Sequence, residues 1–401
     1  MFPQRFLMRC AAALLWLVTL LCVPSTDAQP QMRQRTPEMQ QQPPASQAPV
    51  PWVDVHVHLI GGRGSQQDYA GAVDVALREM DRFGITTAIV LRPPQVEAQS
   101  EYDSTAFVSA LQRYPGRFAY LGGGSRLNRL LHRYADTAQV TDAVKRDFAA
   151  AAEKIIDGGA VGFGEIASLH ISAAPGHPYQ FVPADHPLLH VLADVAARRE
   201  VPIDLHMDAV AGEMPTPSRF AGRANPATLP DTLGGLARLL AYNPQARIVW
   251  AHGGSDPLGG MTTSAIGRLM DAHANLFVSL RILGAPVHTQ VPILLVDADE
   301  KLFVSLRIVG APVPMLNKVL TEDGLDPDWQ KLLIRHADRF VIGTDSFMVS
   351  PAVRSSGPVV TFAERNTPKL QATLRLLSLL SPDVARQIGR ENALRLYRIK
   401  E

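Results

Sequence analysis

The chain of 401 residues carries 39 Lys and Arg against 38 Asp and Glu, a near-neutral balance that gives no long-range pull toward nucleic acid or an anionic membrane. Its two cysteines, Cys10 and Cys22, both fall within the first 28 residues. Beyond them there is no thiol for a disulfide, a thiolate nucleophile or a sulfur metal ligand.

Arg5 and Arg9, the apolar run 11–23 and then Ser25, Thr26, Asp27 and Ala28 form the pattern of a secretory signal peptide over residues 1–28, with cleavage expected after Ala28. The run is shorter than the roughly 20 residues needed to span a bilayer, and Leu20 and Leu21 before Cys22 disfavour a lipid anchor. The expectation is an exported protein, periplasmic or secreted, with no membrane association after cleavage. Loss of Arg5, Arg9 and Asp27 would leave 37 residues of each sign. Residues 29–50, dominated by Gln, Pro, Ala and Ser, have little to bury and read as a disordered linker.

From residue 51 short apolar runs alternate with amphipathic stretches, the signature of βα units. Strands are expected at 52–58, 85–91, 117–121, 160–166, 201–206, 247–252 and 339–345, with helices at 71–83, 141–156, 187–199, 232–242 and 263–272. Closing helices are expected at 369–380 and 382–397. The seventh strand is ambiguous, because LFVSLRILGAPV at 276–287 recurs as LFVSLRIVGAPV at 302–313 with one difference. The first copy is favoured for the barrel, since a helix leads directly into it. The second then lies in an excursion over the mouth, with a strand, turn and strand through 292–306. Two copies are too few for a solenoid and imply a tandem duplication. The fold class expected for residues 51–401 is α/β, a distorted eight-stranded TIM barrel forming a single catalytic domain.

His56 and His58 end the first strand two residues apart, so both imidazoles can face one ion. A His-x-His pair alone is weak evidence. Glu165, His206, His252 and Asp345 raise it, because each ends or closely follows a separate apolar run, where barrel enzymes keep their chemistry.

The order His-x-His in WVDVHVHL, Glu in GFGEI, and His in PIDLHM and IVWAHGG, then Asp in FVIGTDSF, resembles the amidohydrolase superfamily across residues 51–401. The closing IGRENALRLY is similar to the amidohydrolase-related group that includes aminocarboxymuconate-semialdehyde decarboxylase. The resemblance implies metal ligation by His56, His58, His206 and Asp345, with His252 orienting or polarising the attacking water. Glu165 stands where many two-metal relatives carry a carboxylated lysine. It could bridge two ions, as in TatD-type deoxyribonucleases, or support one. His and carboxylate donors suit Zn²⁺ and tolerate Mn²⁺, Fe²⁺ or Co²⁺. Asp345 is the expected acceptor of the water proton.

Arg92 and Arg281 are candidates to grip a substrate carboxylate, with an ion-paired arginine as the plain alternative. Asp54 is expected to make a structural hydrogen bond. His170, His177, His186 and His190 match no ligand spacing and are assigned to loop and surface roles. The loop 211–230, with Glu213, Arg219 and Arg223, is expected to shape the pocket. No G-x-S-x-G elbow or dinucleotide fingerprint is present. The partner expected is a small-molecule substrate, not nucleic acid, with a homo-oligomer left open. Hydrolysis of an amide, lactone or ester leads. Non-oxidative decarboxylation of an aromatic or unsaturated acid and metal or ligand binding without turnover stand as alternatives.

Overall fold

Trp52–Ile60 (β1) is buried at eight of its nine positions, which demands packing on both faces, as in a barrel strand. In the computed structural model, which describes residues 50–61, 67–94, 96, 104–173, 177–283, 315–353 and 362–400, that demand is met by a closed ring. All these residues belong to the unit Ala48–Glu401. The ring continues through Ile85–Val90 (β2), the pieces Phe118–Tyr120 and Gly122–Gly123 (β3), Phe163–His170 (β4) and Pro202–Met207 (β5). It is completed by Arg247–Gly253 (β6), Leu276–Leu280 (β7) and the pieces Phe340–Ile342 and Ser346–Val349 (β8).

Every neighbouring pair in the ring is parallel. The two split strands join its halves. The first piece of β3 pairs β2 and the second pairs β4, while the first piece of β8 pairs β7 and the second pairs β1. Between the β8 pieces, Gly343 donates to Leu280 O at 3.0 Å and Asp345 to His56 O at 2.9 Å. A side chain at Gly343 would put its Cβ 3.0 Å from His56 Cβ and Ser279 Oγ, a tight fit that glycine relieves where β8 passes β1. The expected eight-stranded α/β barrel is the fold observed.

Outside the ring lie Tyr69–Phe83 (α1), Ser104–Gln112 (α2), Arg126–Arg133 (α3), Asp142–Asp157 (α4), Pro187–Arg199 (α5), Leu233–Tyr242 (α6), Thr263–Ala272 (α7), Pro327–Arg335 (α8) and Phe362–Leu379 (α9). Polar side chains start several of them. Asp68 accepts from Gly71 N, Thr141 from Val144 N and Thr262 from Ala265 N, each satisfying an orphan amide of the first turn. Inside the ring, Val53, Val55, Ile89, Leu91, Leu121, Val249, Phe277 and Val341 form one apolar cluster with Ala393, Leu396 and Tyr397 of the closing segment 382–397. The floor of the barrel is therefore apolar, and polar residues collect at the other end. Among the described residues no helix is long and apolar enough to cross a membrane.

Three boundaries differ from expectation by more than two residues. β4 occupies Phe163–His170 rather than 160–166, because α4 ends in the turn Gly158–Gly159 and residues 160–162 carry the chain back to the ring. The last strand does not end at Asp345; it breaks there and resumes through Val349. α9 begins well before residue 369 and holds Pro368 inside it, a residue that ordinarily marks a helix boundary. The first repeat copy fills β7, while the second copy and the expected 292–306 hairpin lie outside the described residues. As expected, α7 leads directly into β7, and Asn275 anchors its entry. Its Nδ2 donates to Leu240 O, Asn243 O and Ala246 O at 3.2, 3.2 and 2.9 Å, whereas the second copy has Lys301 at the matching position.

His132, on α3, donates Nε2–H to Ala167 O of β4 at 3.0 Å, and burial pushes its pKa down to about 4 against that bond. The unfolded chain takes up this proton near 6.5 and the folded chain only near 4. Stability should therefore fall as pH drops through that window, by on the order of 3 kcal/mol from this group. Urea denaturation of the parent and His132→Gln between pH 7 and 4 checks this: the slope of stability against pH should be shallower in the variant.

Candidate active site

The two histidines of β1 are held by their Nδ1 atoms. His56 Nδ1 lies 3.3 Å from Asp204 Oδ2 of β5, and His58 Nδ1 donates to Leu91 O at 2.9 Å. With Nδ1–H so engaged, each ring turns Nε2 toward the barrel axis. Burial would lower the His56 pKa, but the carboxylates of Asp204 and Glu165 raise it well above the ordinary value. A divalent cation among these groups would take the place of that proton.

Glu165 of β4 is at the centre. Its Oε1 accepts from His206 Nδ1 of β5 at 2.5 Å and lies 3.3 Å from His252 Nε2 of β6. Its Oε2 is 3.6 Å from His56 Nε2 and 3.7 Å from His58 Nε2. Burial works to raise its carboxyl pKa, yet the His56 and His206 charges and the bonds from His206 and His252 hold it well below the usual range. Glu165 in turn raises His206 against its own burial. Burial takes His252 down to about 3, so that ring stays neutral.

Asp345 closes the group from the break in β8. Its Oδ1 is 3.1 Å from His58 Nε2 and its Oδ2 2.8 Å from Arg281 Nη1, while Lys369 Nζ donates to its main-chain oxygen at 2.5 Å. Burial would raise the Asp345 carboxyl; the Arg281 charge, the His58 bond and Lys369 keep it well below the usual range. His252 and Asp345 both have left-handed backbone, with φ of 75° and 54°. That conformation costs a non-glycine residue on the order of 1–3 kcal/mol and collects at functional sites.

The arrangement fits a divalent ion. Ligand atoms of His56, Glu165 and His252, and of His56, His58 and Asp345, form two groups each within 4.8 Å. His56 Nε2 and His252 Nδ1 are buried without a hydrogen-bond partner, a cost that coordination of His56 Nε2 to a cation would remove for that atom. The two groups share His56, so the geometry accommodates one ion or an adjacent pair.

All six residues expected from the sequence, His56, His58, Glu165, His206, His252 and Asp345, are thus brought together. Arg281 pairs with Asp345 through Nη1 while its Nε is buried without a hydrogen-bond partner, and Arg92 donates to Tyr69 Oη at 3.0 Å. Asp54 makes the structural bond expected of it, accepting from Thr344 N and Oγ1 at 3.0 and 2.6 Å, and burial lifts its pKa to about 6. His186 caps α5, and His190 stacks on Tyr242 at 3.9 Å.

The loop and surface assignment of His170 and His177 is overturned. His170 packs on His206 at 4.4 Å and on His177 at 4.5 Å between ring centroids. Each has a buried Nδ1 without a partner, and burial lowers both pKa values. His170 lies four residues beyond the strand end expected at 166, and only the structure makes it the last residue of β4; His177 reaches the site through the loop that follows. Asp204, Asp208 and Lys369 were also missed. Asp208 accepts from Ile171 N at 2.8 Å and lies 3.9 Å from His206 Nε2. In the 211–230 loop, Met214–Pro215 pairs with Thr228–Leu229, and Arg219 donates to Pro257 O at 2.7 Å.

A barrel whose strand ends converge on buried imidazoles and carboxylates able to hold a divalent ion is the framework of a metal-dependent, hydrolase-type enzyme. The amidohydrolase family model matches residues 53–399, and the chain belongs to that family. Among solved structures it is similar to amidohydrolase 2 from Bifidobacterium longum subsp. infantis, with 13% identity over 88% of this chain and 100% of the other and a TM-score of 0.41. It is similar also to the β-aspartyl dipeptidase of Fervidobacterium islandicum AW-1, with 12% identity over 86% and 74% and a TM-score of 0.43. The family assignment rests on the family match and not on these distant likenesses. No curated protein matches the chain.

Because Asp204 fixes the His56 ring, Asp204→Ala should weaken divalent-ion binding about 10- to 100-fold, the usual cost of removing a ligand's orienting partner. Competition of the purified protein against a chromogenic chelator measures this.

Proposed function

We propose that the protein hydrolyses an amide, lactone or ester bond of a small molecule, using a divalent ion, best matched by Zn²⁺, held by His56, His58, Glu165, His206 and Asp345. The observation that carries the reading is the burial of two carboxylates among four imidazoles at the end of the barrel opposite its apolar floor. Such an ion, when bound, supplies Lewis acidity, polarising a carbonyl and making water acidic near neutral pH.

The residues of the chain divide the remaining work. Asp345, kept ionised by Arg281, accepts the proton of the attacking water at a carboxylate oxygen and delivers it to the departing nitrogen or oxygen. His252, neutral and with Nε2 near Glu165 Oε1, is placed to orient that water. Export belongs to the same proposal and rests on the leader pattern of residues 1–28.

Asp345→Asn should lower turnover by about 10²- to 10⁴-fold while the protein still binds metal, read by elemental analysis beside steady-state rates. Loss of metal and activity together would restrict Asp345 to ligation. The purified protein, assayed on lactone, ester, amide and carboxylic acid panels, should hydrolyse one of the first three classes, lose that activity to a chelator and regain it with zinc or manganese. Release of carbon dioxide from an acid would replace hydrolysis by decarboxylation. Full metal occupancy with no turnover on any panel would point to a binding protein.

A further inference from the structure

Glu165 sits where the strand ladder gives way on both sides of β4. Toward β5 the pairing steps from Phe163↔Ile203 to Ile166↔Leu205, three residues against two, so Glu165 lies in a bulge. Toward β3 the pairing ends at Gly123↔Gly164, because the chain turns there into α3. At that turn Gly124 N donates to Gly164 O at 3.2 Å, and a Cβ on Gly124 would lie 2.8 Å from Arg92 O and 3.2 Å from Glu165 N. A regular strand neighbour is thus missing on the β3 side beyond Gly164.

Asn128, fully buried on the inner face of α3, occupies that place. Its Nδ2 donates to Glu165 O at 2.6 Å and to Gly124 O at 2.9 Å, and its Oδ1 accepts from Ala167 N at 3.0 Å. In a parallel ladder, a residue opposite position i donates to the carbonyl of i−1 and accepts from the amide of i+1. With i at Ile166, the Asn128 carboxamide reproduces that pattern from a side chain. One turn along α3, His132 takes the next carbonyl, Ala167 O.

We infer that Asn128 is a positioning residue for the metal centre: its carboxamide stands in for a missing strand residue opposite Ile166 and fixes the direction in which Glu165 leaves the backbone. The inference rests on the ligand role proposed for Glu165. Asn128→Asp is nearly isosteric but removes both donations, leaves Glu165 O and Gly124 O unpaired and sets a carboxylate against them. Glu165 then keeps its amide bond to Arg92 O but loses the anchor of its carbonyl. Its carboxylate need move only a fraction of an ångström to spoil the convergence on His56, His206 and His252.

The test compares zinc affinity, by chelator competition, in four full-length proteins: parent, Asn128→Asp, Glu165→Ala and the double variant. Asn275→Asp serves as a control, since it removes the three donations that Asn275 makes to carbonyls at the entry to β7, outside the metal-binding cluster. Asn128→Asp, confirmed folded by circular dichroism, should bind zinc about 10- to 100-fold more weakly, while Asn275→Asp binds as the parent does. In the Glu165→Ala background the Asn128 substitution should change affinity less than twofold, since it acts through Glu165. Parent affinity in folded Asn128→Asp, or an equal loss in Asn275→Asp, would overturn the inference. Parent affinity in Glu165→Ala would instead overturn the ligand role of Glu165. Should Asn128→Asp not fold, Asn128→Ser takes its place with the same expectation. Failure of both while Asn275→Asp folds would assign Asn128 to stability alone.

Discussion

The carboxylate of Glu165 is the constraint on which the rest of the barrel mouth turns. A buried, unpaired carboxylate costs several kcal/mol, and here it is 3% exposed and meets histidines. Its compensation comes from imidazoles on three other strands: His56 and His58 of β1, His206 of β5 and His252 of β6. Each of those rings is itself a burial problem. Asp204 answers it for His56 and the Leu91 carbonyl for His58, so the charge of one side chain propagates into a network drawing on most of the ring. Such a network is either well satisfied or strongly destabilising, which is why an unpartnered His56 Nε2 at its centre speaks for a cation.

The polar end is built at the expense of regular backbone. β3 and β8 are both interrupted, β4 bulges, and His252 and Asp345 take left-handed conformations. These departures point side chains inward that an unbroken ladder would turn elsewhere. The opposite end is apolar, with Tyr397, Leu396 and Ala393 packed into the ring and Asn392 donating to Ala337 O and Phe340 O, each at 2.7 Å.

The duplicated segment shows how little can decide a strand's place. The residues of β7 are identical in both copies, so hydrophobic pattern and β-propensity do not distinguish them. What differs is the chain around them: α7 leads directly into the first copy, and Asn275 just before it donates to carbonyls at Leu240, Asn243 and Ala246.

The sequence alone determined the alternation of strands and helices, the barrel, and the six residues of the central cluster. Strand period and the position of a residue at the end of an apolar run are local properties, and in a parallel barrel every such end faces the same mouth. Tertiary structure decided what those residues meet. The pairing of Arg281 with Asp345, the support of His56 by Asp204, the approach of His170 and His177 to His206 and the bridge from Asn128 to β4 all join positions far apart in the chain. Those contacts depend on how the ring closes and how each loop returns, which no local pattern of burial or charge encodes.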